Sequence, residues 1–171
     1  MKAAITLIEQ VIEEHKTVFQ RLKTLEQVAD DAEALKGFEE AQELFMPGWF
    51  DQKKKLERLE EIVNMVDEGL QAHFDREETA LLAAFKEQGD RELADSFQSL
   101  LLEHKDLRNR LAHTKNHVSQ LTGGKLSRHH WQATAHDMRA HISHTRKLLE
   151  AHAELEQELF FSLRQKLLGE K

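Results

Sequence analysis

The chain has 171 residues, of which 40% are hydrophobic and 32% are charged, so it can form one continuous core and a soluble surface. Its formal net charge of −7 argues against nucleic acid or an anionic membrane as the main partner, because both attract clustered Lys and Arg. The absence of cysteine excludes disulfides, thiolate metal sites and cysteine nucleophiles, which leaves imidazole and carboxylate as ligands for any metal.

Seven glycines and one proline provide few turn residues, whereas the helix formers Leu, Glu, Ala, Lys and Gln are abundant. This composition predicts an all-α protein. No apolar run reaches membrane-spanning length, and acidic residues follow the start too closely for a signal peptide. We therefore expect a single cytoplasmic domain over residues 1–171. The eleven histidines are more than an ordinary domain of this size carries.

A first amphipathic helix is predicted from about residue 3 into the thirties, because apolar residues recur there at spacings of three and four. Gly37 is expected to break or bend this helix, and residues 38–45 to form a further helical piece. Met46-Pro47-Gly48 is the clearest turn in the sequence.

A second helix is predicted from near Asp51 to Gln88. Gly89 suits its C-terminal cap, and Asp90 suits the N-cap of the next helix. The two helices should therefore be joined by a very short turn.

A third helix should end at Thr122-Gly123-Gly124, and Ser127 should cap a fourth that runs to about Leu168. The fourth helix then spans roughly 40 residues, or about 60 Å. Four long helices with short connections predict an up-down-up-down four-helix bundle.

The two halves of the sequence resemble each other. Glu14-His15-Lys16 is matched by Glu103-His104-Lys105, and Leu70-Gln71-Ala72-His73 by Leu149-Glu150-Ala151-His152. A glutamate follows four residues after the second motif in each half. The chain is therefore interpreted as a duplicated αα-hairpin.

Six polar residues fall on the apolar stripes of these helices and should point into the core. Each glutamate lies one helical turn after a histidine, so the two side chains face the same interior point. All four histidines lie roughly 20 Å from one end of the bundle, which places the set at one level. The six candidate metal ligands are His15, His73, Glu77, His104, His152 and Glu156.

A single core histidine is usually structural, because a neutral imidazole can be buried when its nitrogens are hydrogen-bonded. Two buried carboxylates are different, since an ionised carboxylate in a core is costly without a compensating cation. The joint pattern therefore predicts a metal site. Imidazole and carboxylate suit iron, manganese or zinc, and two bridging carboxylates with two histidines per ion favour a pair of ions.

At these positions the chain resembles the hemerythrin-like family, also called the HHE cation-binding domain, over essentially its whole length. The resemblance implies an oxo- or hydroxo-bridged di-iron centre, with Glu77 and Glu156 as bridging carboxylates and the histidines as terminal ligands. It also implies a small ligand such as oxygen, nitric oxide or peroxide. The motifs that carry it are Glu14-His15, His73-Phe74-Asp75-Arg76-Glu77-Glu78, Glu103-His104 and His152-Ala153-Glu154-Leu155-Glu156.

The sequence departs from the oxygen-carrying members of that family. They place a further histidine four residues after the third-helix ligand, where this chain has Arg108. They also use a slightly longer spacing than the four residues between His152 and Glu156. The ligand set is more similar to the hemerythrin-like domain of bacterial proteins that repair damaged iron centres, although those carry a cysteine-containing N-terminal segment. Sensing, detoxification or iron-centre repair is therefore favoured over oxygen transport, with any protein partner or electron donor left open.

Two other helical bundles serve as alternatives. Ferritin-like di-iron bundles need a Glu three residues before a His, a pair that this sequence lacks. A signalling or interaction module of the phosphotransfer type would need one exposed histidine beside a lysine, as in His15-Lys16 or His104-Lys105.

Seven histidines remain outside the candidate ligand set. His113 and His117 are one turn apart and could chelate a surface metal, but they lack a carboxylate at matching spacing and are interpreted as a solvated face. His141 is about 16 Å along its helix from His152 and is interpreted as a core histidine or as the lining of an access route.

Overall fold

The computed structural model describes the backbone of residues 2–40, 50–123 and 126–169, and side chains at 2–30, 54, 56–123, 126, 127 and 129–169. The described residues are helical and include no strand. A π-helical turn, Glu77–Leu81, joins α2 to α3. The helices are α1 (Lys2–Glu40), α2 (Phe50–Arg76), α3 (Leu82–Gln88), α4 (Arg91–Leu101), α5 (Glu103–Thr122) and α6 (Arg128–Leu167).

These elements form four rods, because α2 and α3 continue one another through the π-helical turn, as α4 and α5 do through Leu102. Helix α1 packs on α2 and α6, and α5 packs on the same two helices from the other side. The prediction of an all-α four-helix bundle is confirmed. No described helix is long and apolar enough to cross a membrane.

The predicted helix caps are present. The N–H of Gly89 donates to the carbonyl of Phe85 at 2.9 Å, and the Asp90 side chain accepts from the N–H of Leu93 at 2.8 Å. A Cβ at Gly89 would lie 2.6 Å from that same carbonyl oxygen, so the close turn between α3 and α4 requires glycine. Ser127 caps α6 by accepting from the N–H of His130.

The expected break at Gly37 is wrong, because α1 is continuous from Lys2 to Glu40. A single glycine costs a helix only about 1 kcal/mol relative to alanine, which a long packed helix tolerates. The predicted turn at Met46-Pro47-Gly48 lies outside the described residues, as does the end of the predicted piece 38–45.

The core consists of two apolar clusters with a polar layer between them. One cluster lies toward the Leu121–Trp131 end of the bundle, where the Trp131 indole donates to the carbonyl of Leu121. The other contains the stacked rings of Phe85 and Phe97, which pack against Phe160. The candidate ligands form the polar layer.

Candidate metal centre

The structure brings the six predicted ligands together in the middle of the bundle. Helices α1 and α5 each supply one histidine, α6 supplies a histidine and a glutamate, and α2 with the π-helical turn supplies the matching pair. None of the six is more than 5% exposed. In the described part of the chain, their donor atoms form two groups within 4.8 Å that could hold a metal: His15, His73, Glu77 and Glu156, and Glu77, His104, His152 and Glu156.

The two carboxylates belong to both groups and lie between the histidines. His15 Nε2 is 3.6 Å from Glu77 Oε1 and 3.4 Å from Glu156 Oε2. His104 Nε2 is 3.2 Å from Glu77 Oε2 and 3.9 Å from Glu156 Oε1. His73 Nε2 contacts Glu77, and His152 Nε2 contacts Glu156. The nitrogens therefore converge on two shared carboxylates.

The donor atoms fit a metal better than they fit one another. All four carboxylate oxygens of Glu77 and Glu156 are buried and lack a hydrogen bond of acceptable geometry. His104 Nε2 and His152 Nε2 are 3.1 Å apart, a usual separation for neighbouring ligands of one ion bound at about 2.1 Å. Two buried carboxylates need positive charge beside them, which protonated imidazoles or a bound cation can supply.

The electrostatics of the six side chains are strongly coupled. Burial lowers the pKa of His15 and His104, but the Glu156 and Glu77 carboxylates outweigh it and raise both values to about 9. Burial raises the pKa of Glu77, yet the surrounding imidazoles hold it well below its usual range. Without metal, protonated histidines therefore balance the two carboxylates.

Two further glutamates orient histidines across helix pairs. His73 Nδ1 donates to Glu14 Oε2 at 2.8 Å, and His152 Nδ1 donates to Glu103 Oε2 at 2.6 Å. Each bond places the ring proton on Nδ1 and leaves the Nε2 lone pair facing the centre, as in metal sites whose histidines are held by outer carboxylates. Each Glu-His motif thus supplies one candidate ligand and positions the histidine of the neighbouring helix. This second role was not predicted from the sequence.

A family model for the hemerythrin HHE cation-binding domain matches residues 6–164. The chain belongs to this family. Searches of curated proteins and of solved structures gave no significant match. The HHE match covers all six candidate ligands and both supporting glutamates, and it agrees with a role in metal binding.

The π-helical turn contains the candidate ligand Glu77 and was not predicted from the sequence. It begins at Glu77, and the N–H of Leu82 bonds to the Glu77 carbonyl five residues back. Such single wide turns occur mostly at functional sites, because the extra residue re-aims the side chains next to it. In α6 the backbone keeps the α-helical hydrogen-bond pattern through Glu156.

Arg108 lies four residues after His104 and contacts residues of α2 and the π-helical turn. Its guanidinium donates to Gln71 at 2.9 Å, to Asp75 at 3.0 Å and to both oxygens of Glu78. It also lies over the ring of Phe74, 5.4 Å from the centroid. Arg108 lowers the pKa of Glu78 by hydrogen bonding to its carboxylate.

A small cavity adjoins the candidate centre on the side of α1. Its polar wall is formed by His15, His73, His152 and Glu156. Its volume of about 10 Å³ for the centre of a guest suits one molecule of about the size of water. The rest of its wall is apolar and consists of Val18, Phe19, Leu70, Phe74, Leu149 and Ala153.

Proposed function

We propose that the chain is a non-haem di-iron protein that binds or reacts with a small diatomic or peroxidic ligand in sensing, detoxification or iron-centre repair. Glu77 and Glu156 would bridge two iron ions, with His15 and His73 on one and His104 and His152 on the other. The observation that carries the proposal is the sharing of two buried carboxylates between two four-residue groups of candidate ligands.

The surroundings of the centre suit a small ligand. Bound iron supplies one-electron chemistry and free coordination positions. The cavity beside His15 limits the ligand to a few atoms, and Phe19 and Phe74 form part of its apolar wall. Glu14 and Glu103 hold the Nδ1 protons of the histidines on α2 and α6.

Arg108 favours reaction or sensing over oxygen transport. Its guanidinium is fixed by Gln71, Asp75 and Glu78, so it does not supply the fifth imidazole that the carriers possess. One ion of the proposed pair would therefore keep more coordination positions for exogenous ligand or solvent.

The same cross-helix use of both Glu-His motifs supports the proposed origin of the fold by duplication of an αα-hairpin. Glu14 on α1 supports a histidine on α2, and Glu103 on α5 supports the equivalent histidine on α6.

The phosphotransfer alternative requires an exposed histidine beside a lysine. His15 is 5% exposed and His104 is 0% exposed, so neither imidazole is available to a phosphodonor protein. The burial of both residues favours the metal centre.

The proposal is tested by metal content and by the optical spectrum before and after exposure to oxygen, nitric oxide and peroxide. Protein produced with adequate iron should hold about two irons per chain. A spectral change with only one of the three added molecules would identify the ligand that the protein binds. Glu156→Ala should lose both irons, because both ions would share this carboxylate. Glu154→Ala is the matched control, since Glu154 is exposed on the same helix.

Circular dichroism on the same samples separates metal loss from unfolding. Iron-free wild-type protein whose melting does not change when iron is supplied or chelated would overturn the proposal. So would a Glu154→Ala variant that loses as much iron as Glu156→Ala.

A further inference from the structure

Three histidines outside the candidate centre form a cluster where α5 and α6 pack together. The ring centroids of His113 and His117 are 6.4 Å apart, and His141 lies 5.9 Å from each of them. His113 and His141 are nine and eleven residues along their helices from the candidate ligands His104 and His152, or about 14 and 16 Å. The cluster is therefore separate from the buried centre.

The two less exposed imidazoles are arranged like metal ligands. His141 Nε2 donates to the carbonyl of Arg110 at 3.0 Å, which leaves its Nδ1 lone pair free. A metal-binding histidine usually donates its other ring N–H to a carbonyl or carboxylate in this way. Nδ1 of His117 is buried and has no hydrogen-bond partner. An unpartnered buried nitrogen is unfavourable unless something occupies its lone pair.

A carboxylate completes the set from the neighbouring helix. Asp137 lies one turn before His141 on α6, so their side chains share the face of that helix on which His141 meets the two histidines of α5. The pKa of His117 is lowered by burial and by its neighbours His141 and His113, while the Asp137 carboxylate opposes this shift. No carboxylate lies at matching spacing on α5, as the sequence indicated, and Asp137 is an acid on the neighbouring helix α6.

We propose that His113, His117, His141 and Asp137 form a second metal site, which binds zinc and links α5 to α6. Three imidazoles with a carboxylate or water in the fourth position are a common zinc ligand set. The absence of cysteine from the cluster and the presence of one carboxylate disfavour monovalent copper. None of these residues takes part in the candidate di-iron centre.

The donor atoms of the cluster do not yet lie around one point, and rotation of exposed side chains would bring them together. Its donor atoms are not among the described groups that converge within 4.8 Å. His113 and Asp137 are exposed, so both can turn inward without disturbing the core, while the more enclosed His117 and His141 fix the position of the ion. Zinc bound there would bridge two helices and stabilise the folded chain in proportion to its occupancy.

The test is a titration of iron-loaded protein with Zn²⁺, and with Co²⁺ as an optical probe of tetrahedral coordination. Wild-type protein should bind one ion per chain more than His117→Ala does, whatever number of ions the buried centre holds. His117→Ala and His141→Ala should weaken this binding by at least the ~10- to 100-fold that loss of an outer-shell partner causes. His129→Ala is the matched control, because His129 is an exposed histidine at the start of α6.

Iron content and helicity should be the same in all three variants, which makes the result independent of the di-iron proposal. An equal zinc count for wild-type and His117→Ala would overturn the second site. A loss in His129→Ala as large as in His117→Ala would also overturn it, since binding would then be adventitious attachment to surface imidazoles.

Discussion

The two halves of the candidate centre present the same ligands but support them differently. In the first half, the side chain of Glu14 is 24% exposed and forms an ion pair with Arg76 while it accepts from His73. In the second half, the side chain of Glu103 is 52% exposed, and among the described residues its ion pair is with His152 alone. The first-half histidine is therefore held by a three-member network, and the second-half histidine by a single bond near solvent.

The halves also differ four residues after the histidines of α1 and α5. Phe19 follows His15 and contributes to the apolar wall of the cavity, whereas Arg108 follows His104 and binds the carboxylate of Glu78. The ligands match, but the groups around them do not. We infer that two ions bound here would be inequivalent in how tightly they are held and in how they meet solvent and ligand.

The largest expected effect is the pH dependence of metal binding, which tests a property that both halves share. His15 and His104, one from each half, have pKa values of about 9 and hold protons at neutral pH in the metal-free protein. Metal ligands must be unprotonated, so filling the centre should release at least these two protons, and its overall affinity should rise by about 100-fold or more per pH unit below pH 9.

A weakly buffered titration with a pH indicator measures this release, with Zn²⁺ as a redox-inert ion and His117→Ala as the background that lacks the surface site. His15→Ala and His104→Ala should each release about one proton fewer. A reduction in only one of these variants would show that the protonation of the two halves is not equivalent.

A second comparison targets the supporting glutamates. Glu14→Gln and Glu103→Gln keep the shape of each side chain but remove the charge that orients a candidate ligand. Loss of such a partner typically costs 10- to 100-fold in metal affinity, and we expect Glu14→Gln at about the upper limit and Glu103→Gln at about the lower one. The reason is that Glu14 is better enclosed and its loss leaves the cationic Arg76 beside the centre.

Competition with a chelator measures both affinities. Glu13→Gln is the control for the first half, since Glu13 is exposed and pairs with Lys16. Equal losses in Glu14→Gln and Glu103→Gln would remove the proposed inequivalence.

The sequence was sufficient for what depends on local periodicity. The number and order of the long helical rods, the caps at Gly89 and Ser127, and the burial of the candidate ligands follow from spacings within single helices. Contacts between helices were not predictable in this way. The Glu103 to His152 bond and the contact of His141 with His117 depend on the relative register of α5 and α6, which the apolar spacing within one helix does not specify.

The π-helical turn at Glu77 was missed for a related reason. Residues 77–81 contain neither glycine nor proline, so their propensities do not distinguish a π-helical from an α-helical ladder. The π-helical turn instead depends on tertiary packing, because its residues Glu77 and Leu81 are both buried in the bundle.

The smallest expected effects concern the residues that differ four positions after the histidines. Phe19→Ala should destabilise the fold by about 2 kcal/mol, below the 3 to 5 kcal/mol typical of fully buried Phe, because Phe19 is only partly buried. Arg108→Ala should cost about 1 kcal/mol, since its ion pairs are partly solvent-exposed. Chemical denaturation of the metal-free proteins measures both values.

The same two variants should differ in the rate at which the protein binds nitric oxide. Phe19→Ala removes part of the cavity wall and should accelerate the binding of nitric oxide to the reduced, iron-loaded protein in stopped-flow measurements. Arg108→Ala should leave this rate unchanged, because Arg108 does not line the cavity. If Arg108→Ala alone accelerated binding, the ligand would have to enter between α2 and α5, and the cavity beside His15 would not be its route.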